Sequence, residues 1–271
     1  MDTRFWGPSG WRLLHLVTFA YEPKNNELKH ATEEMFKMLP FVLPCKYCRA
    51  SLTEYMEKEP LESALETKGD LTRWLWRIHN HVNKKLRDQG IAQAQEPDPP
   101  FEKVAEFYES ILATGCSRTE FPGWDFLFSI AELHPLSKSA KGSVPIPGVE
   151  CDTLKTKEEK NQWNCLKPDE RMPLYKKFWH SLGKSLPFPE WRNSWAKHTK
   201  YAADGKHAKH ASLETRASMI KWLWRLRCKM EKDLNLLNSC KYKSLCKTLK
   251  THRSGCSKSV RAKTCRKKRN V

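Results

Sequence analysis

Two cysteines three residues apart are the side chains of this chain best suited to chemistry. They lie in Cys45-Lys-Tyr-Cys48, directly after Pro44 and at the expected start of a helix. Two thiols at this spacing can close a small disulfide, and a helix N-terminus favours the thiolate that attacks another disulfide. The competing interpretation is half of a zinc site. The nearest ligands, His79 and His81, do not have the usual spacing of a second half-site, so redox chemistry is favoured.

Two further groups of polar and aromatic side chains lie on predicted helices. His79, Asn80 and Asn83 are spaced to share one helix face, where they would offer donors, acceptors and an imidazole to a planar, nitrogen-rich ligand. A solvated polar face is the alternative. Trp11 and His15 are four residues apart on another helix, which places an indole beside an imidazole. A buried core histidine is the alternative there.

Helices must position these side chains, because the first part of the chain shows helical periodicity and no strand-like alternation. We therefore predict an all-α fold. Ser9 is the expected N-cap of the first helix, Pro40 is expected to end the second, and Asp70 to cap the fourth. The predicted helices after the first cover residues 28–39, 49–57, 71–87 and 101–112.

Charge and cysteine content divide the chain near residue 113. Of its 271 residues, 1–112 carry 15 basic and 17 acidic side chains, whereas 113–271 carry 34 and 14, with eight of the ten cysteines. A hydrophobic content of 39% with 11 Trp excludes global disorder. No apolar run approaches the roughly 20 residues that span a bilayer, and the N-terminus is a poor secretory signal. We expect domains at 1–113 and 114–271, neither membrane-spanning nor secreted.

The second domain contains segments that resemble the first, in the same order. The segment from Gly123-Trp124 resembles Gly10-Trp11, residues 186–194 can be laid on 43–51, and Lys221-Trp-Leu-Trp-Arg-Leu226 resembles Arg73-Trp-Leu-Trp-Arg-Ile78. Either the chain contains a degenerate internal duplication, or Trp-rich amphipathic helices look alike by chance. Under duplication, the second copy has lost the cysteine pair and has Phe128 in place of His15.

Taken together, the motifs resemble the Erv/ALR family of FAD-linked sulfhydryl oxidases. The shared pattern is W-x₃-H, a Pro-flanked C-x-x-C, and W-L-x-x-x-H-N-x-V-N ending at Asn83, and it covers roughly residues 5–110. The fifth helix also looks like the family's closing helix, with Tyr108 where an aromatic ring covers the cofactor. The added length looks like that of the large-DNA-virus members, which implies a location in the host cytoplasm or the virion.

The resemblance implies a five-helix bundle that holds FAD non-covalently, and a homodimer. Cys45 would accept electrons from a protein dithiol substrate, and Cys48 would pass them to the flavin. Oxygen would be the final acceptor, giving H₂O₂. No metal is implied. The positions that map onto the cofactor-binding residues are Trp11, His15, Cys48, His79, Asn80, Val82, Asn83, Lys84 and Tyr108.

Two departures from the family pattern leave questions open. Many members carry a structural disulfide where this chain has Trp76 and Gln93. Packing by Trp76 or by the second domain are the two candidate replacements. The usual L-G-K is here Leu86-Arg-Asp88, so the phosphate contact is open between Lys84, Lys85 and Arg87.

The second domain is expected to be helical, basic, rich in cysteine and unable to bind flavin. We expect Cys151 and Cys165 to form a loop disulfide and the tail to be disordered or disulfide-stapled. The tryptophans Trp163, Trp179, Trp191 and Trp195 are expected to be core residues rather than stacking platforms for nucleic-acid bases. Candidates for a second, electron-relaying cysteine pair are Cys116, Cys240, Cys246, Cys256 and Cys265. A rival function is a basic, Cys-rich nucleic-acid or virion-binding protein with an inactive oxidase-like bundle.

Overall fold

A computed structural model describes residues 1–89, 97–199, 213–236 and 241–253. Within these ranges the chain is all-α, without a strand, as predicted, and none of the helices is long and apolar enough to cross a bilayer. The helices are α1 Thr3–Phe19, α2 Asn26–Val42, α3 Lys46–Lys58, α4 Lys68–Asp88, α5 Phe101–Thr114, α6 Trp124–Glu132, α7 Lys138–Lys141, α8 Lys157–Gln162, α9 Pro168–Ser185, α10 Pro189–Thr199, α11 Arg216–Asp233 and α12 Tyr242–His252.

Three predicted helix boundaries are wrong. Helix α1 begins before Ser9, because the Asp2 side chain accepts a hydrogen bond from the Arg4 N–H and caps the helix there. Helix α2 continues through Pro40, which lies in its last turn. Helix α4 is capped by Thr67, whose hydroxyl oxygen accepts from the Asp70 N–H at 3.0 Å, so Asp70 lies inside the first turn.

The larger of two hydrophobic clusters runs through both parts of the chain, which we call the first half (1–113) and the second half (114–271). Helices α2 and α9 pack antiparallel along their lengths. At one end the Arg171 guanidinium donates to the Phe41 carbonyl, and at the other Lys184 pairs with Glu27. Helix α2 also contacts α4, where the Phe36 ring meets the Trp74 ring edge-on with centroids 5.2 Å apart.

The contact between α1 and α6 is reciprocal. A Cβ on Gly10 would lie 3.0 Å from Phe126 Cδ2, and a Cβ on Gly123 would lie 2.5 Å from Leu13 Cδ2. Gly10 and Gly123 are equivalent in the sequence alignment above, and so are Leu13 and Phe126. Each glycine therefore admits the partner's apolar side chain, which is the pattern of an approximate two-fold axis.

A second repeated contact joins each of the helices α3 and α10 to the residues just before it. Arg49 Nη1 donates to the Leu43 carbonyl at 3.0 Å, and Arg192 Nη1 donates to the Leu186 carbonyl at 2.7 Å. Both arginines lie six residues after their acceptor and turn the chain in the same way. Matching contacts at equivalent positions support internal duplication over chance resemblance.

The segment between α7 and α9 is fastened to the start of α3. Cys151 and Cys165 form a disulfide, which confirms the predicted loop cross-link. Next to it, the Asn164 side chain accepts from Arg49 Nη2 at 2.7 Å and donates to the Val144 carbonyl at 2.9 Å. Asn161 is buried and donates to the Pro40 carbonyl. The second half thus holds the helix that follows the cysteine pair.

Trp179, Trp191 and Trp195 are buried and Trp163 is half-buried, so the core prediction holds for the first three. Helix α12 adds Leu245 and Leu249 to the core. Cys116 is buried and Cys246 is exposed. Cys240, Cys256 and Cys265 lie outside the described residues.

Candidate active site

The two cysteines of the C-x-x-C segment line different cavities. Cys45 is the N-cap residue of α3, and Cys48 lies in its first turn. Cys48 lines a cavity of about 550 Å³, which we call the first cavity. Cys45 lines a second cavity of about 310 Å³ on another side of the segment. The cysteine pair therefore separates two compartments.

Aromatic and imidazole rings form one wall of the first cavity. The Trp11 indole stacks on the His79 imidazole with centroids 3.9 Å apart. Of the nine predicted cofactor-binding residues, six line this cavity: Trp11, Cys48, His79, Val82, Asn83 and Tyr108. The structure thus brings together side chains from α1, α3, α4 and α5.

His15 lies directly behind this wall. Its Nε2 is 3.2 Å from His79 Nδ1, and its ring stacks on Tyr108 at 4.9 Å. Burial lowers the pKa of His15 to about 3, with the neighbouring His79 as a smaller cause, and burial lowers that of His79 to about 4. Both imidazoles are therefore neutral near pH 7, and one ring donates the hydrogen that the other accepts.

Tyr108 covers the cavity from α5. It is buried, and burial raises the pKa of its hydroxyl to about 12, so the ring stays neutral at physiological pH. Phe107, its neighbour, is 48% exposed, and the Arg12 guanidinium lies 5.9 Å from its ring centroid.

Cations reach the first cavity from α1 and α4. Lys85 lines it and donates to the Ser51 hydroxyl at 2.7 Å, and Arg4 and Arg12 line it as well. Neither arginine could be predicted from the sequence, because nothing in the spacing of Arg4 and Arg12 marks them as binding residues. Lys84 and Asn80 are not among the lining residues, and Lys84 lies 3.4 Å from the carboxylate of Asp88.

Polar contacts join α4 to the segment before α5, close to Trp76, which stands where many family members carry a structural disulfide. Trp76 Nε1 donates to the Pro99 carbonyl at 3.1 Å. Asp98 accepts from Asn83 at 2.7 Å and from both terminal nitrogens of Arg87, and these partners lower the pKa of its carboxyl. Arg87 is thus paired with Asp98 within the protein. Of the three candidates for the phosphate contact, only Lys85 lines the first cavity.

The equivalent positions of the second half carry no such site. Arg227 and Glu231 stand where His79 and Asn83 stand in α4, and they form an ion pair at 2.7 Å. Phe121 stacks on Trp124 at 4.5 Å and lies 4.8 Å from Trp191, so it fills the space between the equivalents of Trp11 and Cys48. Among the described residues no cluster of potential metal ligands forms either.

The first cavity fits a flavin dinucleotide. Its volume lies within the range of cofactor pockets. It combines ring-bearing walls, which suit a planar heterocycle, with cations that suit phosphates. Buried Trp6 Nε1 and His15 Nδ1 lack hydrogen-bond partners within the protein. These features define a flavin-dependent redox enzyme with a cysteine pair at its cofactor.

Comparisons with known proteins agree with this site. Residues 8–101 match the model of the Erv1/Alr family. The chain is 33% identical over 126 residues to an FAD-linked sulfhydryl oxidase of African swine fever virus (isolate Pig/Kenya/KEN-50/1950), covering 45% of this chain and 98% of that protein. It is 30% identical over 87 residues to the mitochondrial FAD-linked sulfhydryl oxidase ERV1 of Saccharomyces cerevisiae, covering 32% of this chain and 45% of that one.

A similar match, 32% over 87 residues, is to a probable FAD-linked sulfhydryl oxidase of Acanthamoeba polyphaga mimivirus, over 31% of this chain and 59% of the relative. No solved structure matches the chain. The chain belongs to the Erv1/Alr family. It is an FAD-linked thiol oxidase, and these matches leave most of the second half uncovered.

Proposed function

We propose that Cys45 exchanges disulfides with a substrate dithiol and that Cys48 faces the cofactor. The observation that carries this assignment is that the two cysteines line different cavities, Cys48 the first and Cys45 the second. A substrate thiolate attacks the Cys45 sulfur of the Cys45–Cys48 disulfide, and Cys48 leaves as a thiolate. The second substrate thiol then attacks the mixed disulfide, which releases the oxidised substrate and the Cys45 thiol.

Bound FAD would accept two electrons from the reduced cysteine pair and pass them to O₂, which gives H₂O₂. Trp11, His79, Val82, Asn83 and Tyr108 would hold it in the first cavity, with Lys85, Arg4 and Arg12 near its phosphates. His15 acts as a positioning residue through its 3.2 Å contact with His79. Tyr108 keeps water from this side of the cavity.

Purification of the full chain tests the proposal. A yellow protein with the visible absorption of a flavin, and dithiol-dependent oxygen uptake with one H₂O₂ formed per disulfide, is expected. Cys48→Ser should keep the colour and lose the uptake. A colourless protein that binds nucleic acid or virion components would instead support the rival binding function.

Three further expectations stay predictions. Homodimerisation can be measured by light scattering, and a dimer would need a surface other than the α1–α6 and α2–α9 contacts, which are buried within the chain. Nucleic-acid binding through the basic C-terminal tail concerns residues outside those described. A location in the host cytoplasm or virion rests on the resemblance to viral members.

A further inference from the structure

Cys45, the proposed substrate-facing cysteine, is only 2% exposed. A substrate thiol must therefore reach it through the second cavity. Both halves line this cavity. Cys45, Lys46, Tyr47 and Arg49 are among its residues from the first half, and its residues from the second are Leu133, Ser139, Ala140, Ser143, Arg171 and Arg253. The second half thus forms part of the route to the reactive sulfur.

Among the described residues that line the second cavity, several are cationic and none is acidic. Its described lining includes Lys46, Arg49, Arg171 and Arg253. The charge of Arg253 is offset by an ion pair with the buried carboxylate of Glu132. Arg171 has no carboxylate partner among the described residues, although it is only 8% exposed.

Arg171 is also incompletely hydrogen-bonded. One terminal nitrogen donates to the Phe41 carbonyl at 3.0 Å, but its buried Nε has no partner. Burial lowers the pKa of its guanidinium, and the nearby Arg49 lowers it further. A guanidinium stays charged in proteins, so its charge here is uncompensated by the protein itself.

We propose that the second cavity binds a carboxylate beside the reactive thiol of the substrate, with Arg171 as its principal partner. This inference rests on the proposed function and names its substrate class: dithiol peptides or proteins with an acidic residue next to the attacking cysteine. The carboxylate would satisfy the buried guanidinium and hold the thiolate near Cys45. Specificity for the substrate would then come from the second half, while the redox chemistry stays in the first.

The test uses two peptides that differ only in Asp or Asn beside the first cysteine of a C-x-x-C pair. For binding, both cysteines are replaced by serine and a fluorescent label reports the Kd with the FAD-loaded full chain. Because the chain carries a net charge of +18, binding is measured at about 0.5 M salt, where exposed charges are screened within roughly 4 Å. We expect the Asp peptide to bind at least about tenfold more tightly, as a buried charge-assisted contact predicts.

Arg171→Met should reduce this Asp-to-Asn ratio to about one. Ser139→Glu, at an exposed position on the cavity wall, places a competing carboxylate in the cavity and should reduce the ratio even if Arg171→Met does not fold. Lys24→Met is the matched control, since Lys24 is exposed and precedes the far end of α2, about 25 Å of helix from the cysteine pair. It should keep the wild-type ratio.

The same ratio is then measured as kcat/KM for the reduced peptides. Equal binding of the two peptides by the wild-type chain, or an unchanged ratio in a folded Arg171→Met or in Ser139→Glu, would overturn the proposal. Oxygen uptake with dithiothreitol separates the two levels of inference. Its absence contradicts the thiol-oxidase mechanism, whereas its presence with no Asp preference contradicts only the carboxylate site.

Discussion

The two halves share a framework but differ in what their matching helices enclose. In the first half, Trp11 stacks on His79 beside a cavity of about 550 Å³. In the second, Arg227 lies over the ring of Trp124 at 5.6 Å, and Phe121 fills the neighbouring space. The framework contacts of Arg49 and Arg192 are the same. Helix order and close packing can therefore persist after the side chains that make a redox site have been replaced.

The largest expected effect comes from separating the halves. Residues 1–113 alone would expose the face of α2 that packs on α9, and would lose the part of the core that the second half supplies. We expect this fragment to show no cooperative thermal transition, because domains are stable by only roughly 5–15 kcal/mol and the loss of a shared core removes a large favourable contribution. Calorimetry of the fragment and the full chain measures the difference. Equal melting temperatures would show that the first half is self-sufficient and that Trp76 alone replaces the missing disulfide.

The next effect concerns the cysteine pair, which the second half lacks at the equivalent positions. Cys48→Ser should reduce dithiol-dependent oxygen uptake by at least about 1,000-fold, the scale on which loss of a nucleophile acts. Cys228→Ser is the matched control on α11, where Cys228 stands at the position of Asn80. Uptake that survives in Cys48→Ser would place the reactive sulfur elsewhere.

The reciprocal glycine contact offers a smaller, stability-based test. Gly123→Ala should destabilise the full chain by about 1–3 kcal/mol, because its Cβ would meet Leu13 at 2.5 Å. Gly10→Ala should cost less, since the Phe126 contact is looser at 3.0 Å and alanine favours the helix by up to about 1 kcal/mol.

Urea unfolding at pH 7 measures both glycine variants. Gly69→Ala, whose Cβ would meet only Thr67 at an ordinary 3.7 Å, is the control and should not destabilise the protein. A Gly123→Ala variant as stable as this control would argue against a close α1–α6 crossing.

The proton-linked effect of His15 is the smallest of these at pH 7, because it develops only as the pH falls below about 6.5. The pKa of His15 falls from 6.5 to about 3 on folding. Below pH 6.5 the unfolded state therefore binds more protons than the folded state, and the free energy of unfolding decreases as the pH is lowered. Each such histidine contributes a slope of up to about 1.4 kcal/mol per pH unit. His15→Phe introduces the residue found at the equivalent position, Phe128. Between pH 6.5 and 4 it should remove the contribution of one histidine to the slope of the free energy of unfolding against pH. Urea unfolding at several pH values measures the slope, and identical slopes would mean that His15 is protonated in the folded state.

The motifs of the first half could be found in the sequence because they are local. The C-x-x-C spacing and the helical spacing of Trp11, His79 and Asn83 predict side chains on common faces, and the structure gathers them around one cavity. Helix ends were predicted less well, since Asp2 and Thr67 compete as caps with equally plausible Ser9 and Asp70.

Contacts between helices that are distant in the sequence could not be predicted from local sequence patterns. Neither Arg12 nor Arg171 belongs to a motif, and each reaches its cavity only because helices distant in sequence pack together. Helix α12 was missed as well, because a short basic segment gains its stability from burying Leu245 and Leu249 against the core. These are properties of the assembled fold.

The Gly10–Phe126 and Gly123–Leu13 contacts have an evolutionary consequence. In a symmetric homodimer every substitution appears twice, on both sides of the axis, so neither subunit can change alone. Here both sides of the axis are encoded separately within one polypeptide. A difference such as Phe128 at the position equivalent to His15 alters one side only. One half can thus keep the residues of a redox site while the other diverges.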